Sequence, residues 1–164
     1  MHSNAACNCL QKFKHMERLK FTTEIKAPVE QVFNTMIGKD SYKQWASVFS
    51  PTSDFEGSWA EGEKIMFVAI NKSGKREGML GRVEAFVPNQ FVSVRYDGVL
   101  EGDEEITEGE VAAGFKDTHE NFSFERSKDG TNVTVDVDVE DGFKPYLLET
   151  YPKALERLKQ ICEQ

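Results

Sequence analysis

The chain has 164 residues, 39% of them hydrophobic and 29% charged, which is typical of one folded domain and excludes a disordered chain. Acidic residues outnumber basic ones by 28 to 20, and the formal net charge of -8 argues against a nucleic-acid partner. No segment approaches the roughly 20 consecutive apolar residues of a membrane-spanning helix, which excludes insertion into a membrane.

The first fifteen residues differ from the remainder. Residues 1–15 lack the apolar segment and cleavage site of a secretory signal, so we interpret them as a flexible leader or tag remnant preceding a domain over 16–164. Cys7 and Cys9 are separated by a single residue, too few for a zinc knuckle, and no metal or other cofactor is expected. The odd number of cysteines, three, favours a reducing, cytoplasmic location.

One strand and two short helices are predicted first. Apolar and polar residues alternate from Leu19 to Ile25, as in a half-buried strand. Pro28 suits the first turn of a helix. The apolar stripe of that helix comprises Val29, Val32, Phe33 and Met36. Asp40 is expected to cap a second short helix that carries Trp45.

An antiparallel meander is predicted next, because the turns between its strands are too short for crossovers. After a brief strand near Phe55, the expected strands are Lys64–Ile70, Arg76–Val87, Phe91–Leu100, His119–Glu125 and Val133–Glu140. The face of the Lys64–Ile70 strand that meets the core stays open, since both of its faces are apolar. The acidic run from Glu101 to Glu110 is interpreted as a solvated loop, with a lid over a cavity mouth as its functional alternative.

The final segment changes to helical periodicity. The apolar stripe of a helix from about Pro145 to Glu163 includes Leu147, Tyr151, Leu155, Leu158 and Cys162. Pro152 removes one backbone hydrogen bond, so a bend is expected there. The predicted class is α+β: a curved antiparallel sheet of six to seven strands that wraps around this helix and leaves a cavity between them.

Several short motifs resemble one known superfamily. They are residues 25–33 (IKAPVEQVF), Trp59 with Gly62, Gly78, Gly81, Glu84 and Pro88, then Gly130-Thr131, and residues 151–155 (YPKAL). Their order and spacing over residues 17–164 are similar to the START-like helix-grip (SRPBCC) superfamily, which includes the birch-pollen allergen. Within it the chain most resembles the family related to the C-terminal domain of Aha-type activators of the heat-shock chaperone ATPase.

This resemblance implies the helix-grip fold, whose members include lipid carriers, cyclases and co-chaperones. We expect non-catalytic binding of a small, largely apolar molecule, lipid-like or aromatic. One alternative is a chaperone-linked protein-interaction module of the stress response, which would use an outer surface. Another is a cyclase- or hydrolase-like enzyme, which would need His119, Tyr96 or a carboxylate to face the cavity. A monomer or weak dimer is expected.

The candidate site consists of apolar and aromatic residues whose predicted faces converge inside the sheet. The candidates to line the cavity are Phe33, Met36, Met79, Tyr96, Phe122, Phe124, Leu147, Tyr151 and Leu155. Tyr96 or Tyr151 would supply a polar group to the ligand. Trp45 and Trp59 are expected to flank the cavity mouth, and His119 to lie at the surface. These residues fit a filled core as well as a ligand cavity.

Overall fold

An antiparallel sheet of eight strands forms the frame of the computed structural model, which describes residues 15–164. The leader and the excluded zinc site therefore fall, apart from His15, outside the described residues. The strands are β1 (Met16–Ile25), β2 (Asp54–Gly57), β3 (Lys64–Ile70), β4 (Arg76–Val87), β5 (Phe91–Glu101), β6 (Glu104–Ile106), β7 (His119–Arg126) and β8 (Thr131–Glu140). The helices are α1 (Val29–Ile37), α2 (Lys39–Ala46), α3 (Gly109–Ala113) and α4 (Lys144–Cys162).

The strand order is β1, β8, β7, β5, β4, β3, β2, with β6 paired to β5 outside this path. The first and last strands are neighbours, with Met16 opposite Glu140 and Ile25 opposite Thr131. The α+β helix-grip class predicted from the sequence is confirmed. The sheet exceeds the predicted six to seven strands because the acidic run contains β6, three residues long, which returns along β5.

Helix α1 buries the expected stripe of four residues, whereas α2 begins differently from the prediction. Gly38 precedes α2, no side chain caps the helix, and Asp40 lies inside its first turn. The prediction that Asp40 caps this helix is therefore wrong, although a carboxylate in the first turn still meets the positive end of the helix dipole. Trp45 of α2 is buried and donates its indole N–H to the Met36 carbonyl at 3.0 Å, which ties the two helices together.

Helix α4 covers the concave face of the sheet with its C-terminal two thirds. Its buried residues are Thr150, Tyr151, Ala154, Leu155, Leu158 and Cys162. Before Thr150 no residue of α4 is fully buried, and the helix continues through Pro152, which faces solvent. No helix in residues 15–164 is long and apolar enough to span a bilayer.

The face of β3 that the sequence left open is decided by packing. Ile65 is fully buried and Phe67 packs against the core cluster, so these alternate residues share the concave face.

A close backbone contact joins the β7–β8 turn to the segment that links β1 to α1. A Cβ on Gly130 would lie 2.1 Å from the Ile25 carbonyl oxygen, so only glycine fits there. Next to it the buried Thr131 hydroxyl donates to the Ala27 carbonyl at 2.8 Å. This pair therefore fixes the start of α1 against the sheet.

We expect Thr131→Val to destabilise the fold by about 1–2 kcal/mol, because the isosteric valine leaves the buried Ala27 carbonyl without this donor. Urea unfolding measures the change. Thr134→Val, three residues further along β8 and partly exposed, is the matched control and should be nearly neutral. Equal losses from the two variants would show that the Thr131 hydroxyl contributes nothing specific.

Candidate functional site

A cavity of about 500 Å³ lies between the sheet and the N-terminal part of α4. Strands β3, β4, β5 and β7 contribute to its lining, together with α2 and the segment after it. The remaining side is bounded by α3, Phe143 and the first turns of α4. The cavity arises where α4 no longer buries its side chains against the sheet.

The floor of the cavity holds a carboxylate bound by two tyrosines. The Tyr151 hydroxyl donates to Oε2 of Glu120 at 2.9 Å, and the Tyr96 hydroxyl donates to Oε1 at 3.1 Å. Three elements, α4, β5 and β7, thus meet at one acidic group. The ring of Tyr151 stacks on Phe21 with centroids 5.0 Å apart, which fixes the direction of its hydroxyl.

The surroundings of Glu120 disfavour its charge. The Glu120 side chain is only partly accessible to solvent, through the cavity that it lines. The surrounding protein removes most of its hydration. This desolvation raises the pKa of Glu120, although the hydroxyls of Tyr151 and Tyr96 oppose the shift. Burial and the nearby Glu120 charge raise the pKa of both tyrosines well above the ordinary value, so their hydroxyls stay protonated.

The register of the sheet explains why Glu120 points inward. It lies opposite Val94 of β5 and Val137 of β8, both buried. Residues two apart on a strand share a face, so Glu120 also shares the face of Phe122 and Phe124. The sequence analysis missed this residue, yet its place in that alternation was a signal: one acidic residue in phase with a pair of core phenylalanines.

The nine predicted cavity residues divide into two groups. Those that line the cavity are Met79, Tyr96, Phe122, Leu147 and Tyr151. The others, Phe33, Met36, Phe124 and Leu155, lie in the packed core next to it. Phe33 and Phe124 meet edge to face with ring centroids 5.1 Å apart, so helix α1 fills this part of the sheet.

The two tryptophans expected at the mouth lie deeper than that. Trp45 lines the cavity but is only 2% exposed. Trp59 packs among aromatic rings beside the cavity, between Phe55 and Phe67, and its indole N–H is buried without a hydrogen-bond partner in the described part of the chain.

Exposed apolar side chains border the cavity instead. Val111 of α3, together with Phe143 and Tyr146 around the start of α4, is 46–54% exposed and lines the opening. The rings of Phe115 and Phe143 are 5.2 Å apart and join the two sides of this border. A ligand would therefore cross an apolar rim before it reaches the polar floor.

His119 faces away from the cavity, because it precedes Glu120 and adjacent residues point to opposite faces of a strand. Its Nε2 contacts Glu84 at 2.6 Å, and its backbone N–H donates to Asp138 at 2.9 Å. Between residues 15 and 164 no group of three or more His, Cys, Asp and Glu side chains is placed to hold a metal ion.

The cavity chemistry is that of a hydrogen-bond acceptor in apolar surroundings. Glu120 can accept a hydrogen bond from a ligand or attract a positive charge. The hydroxyl protons of Tyr96 and Tyr151 are already donated to it, while their oxygens keep lone pairs for a ligand donor. The carboxylate and Tyr96 meet the requirement that the enzyme alternative set, and His119 does not.

Comparisons with known proteins agree with this fold. The family model described as "Activator of Hsp90 ATPase homolog 1-like protein" matches residues 26–163. No curated protein matches significantly. Among solved structures, an uncharacterised protein from Rhizobium leguminosarum is similar with a TM-score of 0.68 and 18% identity, over 91% of this chain and 95% of that one. The structure of the Aha1 dimer from Colwellia psychrerythraea is similar with a TM-score of 0.65 and 18% identity, over 90% and 96% of the two chains.

We expect the stability of Glu120→Gln relative to the native protein to increase with pH. Burial raises the pKa of Glu120 in the folded state, whereas the unfolded chain titrates near the ordinary value of 4.5. Below that value the carboxyl is protonated in both states, and its ionisation does not lower the free energy of unfolding. As pH rises through the folded-state pKa, the unfolded state releases its proton first and the native protein loses stability.

Urea unfolding of both proteins between about pH 4 and pH 8 measures this difference. Glu125→Gln removes an equal charge from an exposed site on the same strand and is the control. A difference that stays constant with pH, or that favours the native protein at high pH, contradicts the expectation.

Proposed function

This chain belongs to the family of Activator of Hsp90 ATPase homolog 1-like proteins, and within that fold we propose that it binds a small, largely apolar molecule without transforming it. The observation that carries the proposal is a cavity with aromatic walls in which the Glu120 carboxylate is held by two tyrosine hydroxyls. Apolar walls with a few convergent polar groups are the usual composition of a ligand site.

The size of the cavity supports the proposal. Ligand pockets for small molecules span roughly 300–1,000 Å³, and this cavity of about 500 Å³ lies within that range. Burial of apolar ligand surface contributes roughly 25 cal/mol per Å² before the cost of association. Most of the binding free energy would therefore come from the walls, and the polar floor would orient the ligand.

The side chains at the opening of the cavity suit the entry of an apolar ligand. Val111, Phe143 and Tyr146 are exposed apolar residues that border the opening. Since large exposed apolar side chains are unfavourable in water, a cluster of them beside a cavity is typical of a surface with a binding role. The cysteine content of the sequence fits a cytoplasmic setting for this activity.

The second candidate, a chaperone-linked interaction module of the stress response, is favoured by the family description itself. Such a module would contact a heat-shock ATPase through its outer surface, and the cavity would matter only for stability. β1 and β2 are the terminal strands of the sheet, and each has one edge without a partner strand among the described residues. Edge pairing of that kind would allow a weak dimer.

We expect Met79→Trp to weaken ligand binding by about tenfold or more, because the indole takes up cavity space next to Phe67 and Val99, the partners of Met79 on β3 and β5. Native mass spectrometry of the purified protein, before and after incubation with cell-extracted lipids and metabolites, measures the bound fraction. Denaturing analysis then identifies the released molecule.

Met16→Trp is the matched control, since Met16 is 40% exposed at the start of β1 and does not line the cavity. It should retain the bound molecule. A native protein that remains free of ligand after incubation with the extracts contradicts the binding proposal.

The same variants distinguish the chaperone-linked module from the ligand-binding protein. If the protein acts on a chaperone through an outer surface, ATP hydrolysis by a purified Hsp90-type chaperone should rise equally with the native protein, Met79→Trp and Met16→Trp. If the native protein does not raise ATP hydrolysis by the chaperone, this candidate is contradicted.

A further inference from the structure

The charged residues around the cavity all have the same sign. Those that line it are Asp54, Glu77, Glu101 and Glu120. None of the lining residues, all within the described chain, is a lysine, arginine or histidine. An anionic ligand such as a fatty acid would thus meet four carboxylates and no basic side chain among the lining residues.

The carboxylate on the floor has no cationic partner. Within residues 15–164, Glu120 forms no ion pair with a basic side chain, and its two oxygens accept only the tyrosine hydroxyls described above. Two neutral donors support a carboxylate but leave its net charge uncompensated in an apolar site. A ligand that carries a positive charge would supply the missing partner.

Two further carboxylates that line the cavity lie directly opposite each other on adjacent strands. Glu77 of β4 and Glu101 of β5 are register partners, and both line the cavity. Like charges directly opposite one another across two strands are destabilising. A cation that lies between them would relieve that repulsion. This pair and Glu120 therefore favour the same ligand charge.

Asp54 differs from the other three because its charge is already balanced. Lys39 Nζ lies 2.8 Å from one carboxylate oxygen and Lys43 Nζ lies 3.8 Å from the other. These lysines do not line the cavity. Asp54 therefore neither favours nor opposes a cation strongly, and the preference depends on Glu77, Glu101 and Glu120.

The walls suit a positively charged group as well. The aromatic residues that line the cavity include Tyr42, Phe67, Tyr96, Phe115 and Tyr146. The face of an aromatic ring attracts a cation, more strongly where water is excluded. The walls can also stack against an aromatic ligand body.

We infer that the ligand of this cavity is an organic cation: an apolar, preferably aromatic body with one protonated amine, whose ammonium group pairs with the Glu120 carboxylate. This inference rests on the proposed function, because it assigns a chemical class to the ligand of the same cavity. The ammonium would donate to Glu120 while the tyrosine hydroxyls keep their own hydrogen bonds to it.

Three probes with the same body test the charge. These are 4-phenylbutylamine, 4-phenylbutan-1-ol and 4-phenylbutanoate, which are positive, neutral and negative at neutral pH. Isothermal titration calorimetry with the native protein should give the ammonium an affinity at least about tenfold above that of the alcohol, because the ammonium gains a charge-assisted pair. The carboxylate should bind weakest.

Glu120→Gln should remove the preference for the ammonium, so that the ammonium and the alcohol bind this variant within about threefold of each other. Glu125→Gln, which removes one charge from the exposed face of the same strand, should keep the full preference. Thermal unfolding of each variant checks that it is folded. If Glu120→Gln does not fold, the order of the three probes on the native protein still decides the inference.

The outcomes separate the two proposals. If the alcohol binds as tightly as the ammonium, or the carboxylate binds tightest, the cavity is a ligand site and the assignment of a cation is overturned. Retention of the ammonium preference in Glu120→Gln overturns the role of Glu120. If none of the probes binds and the cell extracts also leave the protein empty, the proposed function fails and the inference fails with it.

Discussion

The structure depends on the packing of α4 against the concave face of the sheet. From Thr150 onward the helix buries one stripe of side chains, and Tyr151 lies at the point where this close packing ends. Its ring stacks on Phe21 of β1, while its hydroxyl reaches Glu120 of β7. The first turns of α4 therefore border a cavity, whereas its later turns fill a core.

The position of Glu120 follows from that geometry. A carboxylate between two buried valines would be very costly in a filled core, since its charge would lose all hydration. Here the cavity and two tyrosine hydroxyls make the arrangement tolerable. Natural proteins give up stability in this way mainly at functional sites, where an incompletely satisfied polar group is left for a ligand. The same group therefore weakens the protein, and in the proposed function it would give the cavity its chemical selectivity.

Family membership and the cavity address different levels of function. The family model covers residues 26–163 and establishes the fold, while solved structures of 18% identity extend that likeness to nearly the whole chain. One fold supports many functions, because function resides in the site and not in the frame. A cavity ligand and a partner on the outer surface are compatible proposals, because they would use different parts of the molecule.

The sequence alone determined the class of fold and nearly all of its strands, because alternation of period two along β8 and helical periodicity along α4 are local properties of the chain. It also identified Met79, Tyr96, Phe122, Leu147 and Tyr151 among its candidate residues. It could not separate these from Phe33 and Leu155, since core and cavity walls have the same apolar composition. Only the tertiary structure decided where α4 leaves the sheet, and only the pairing of β7 with β5 and β8 placed Glu120 between two buried valines. Such contacts join residues that are far apart in sequence, and a local sequence pattern does not predict which of these residues lie close together in space.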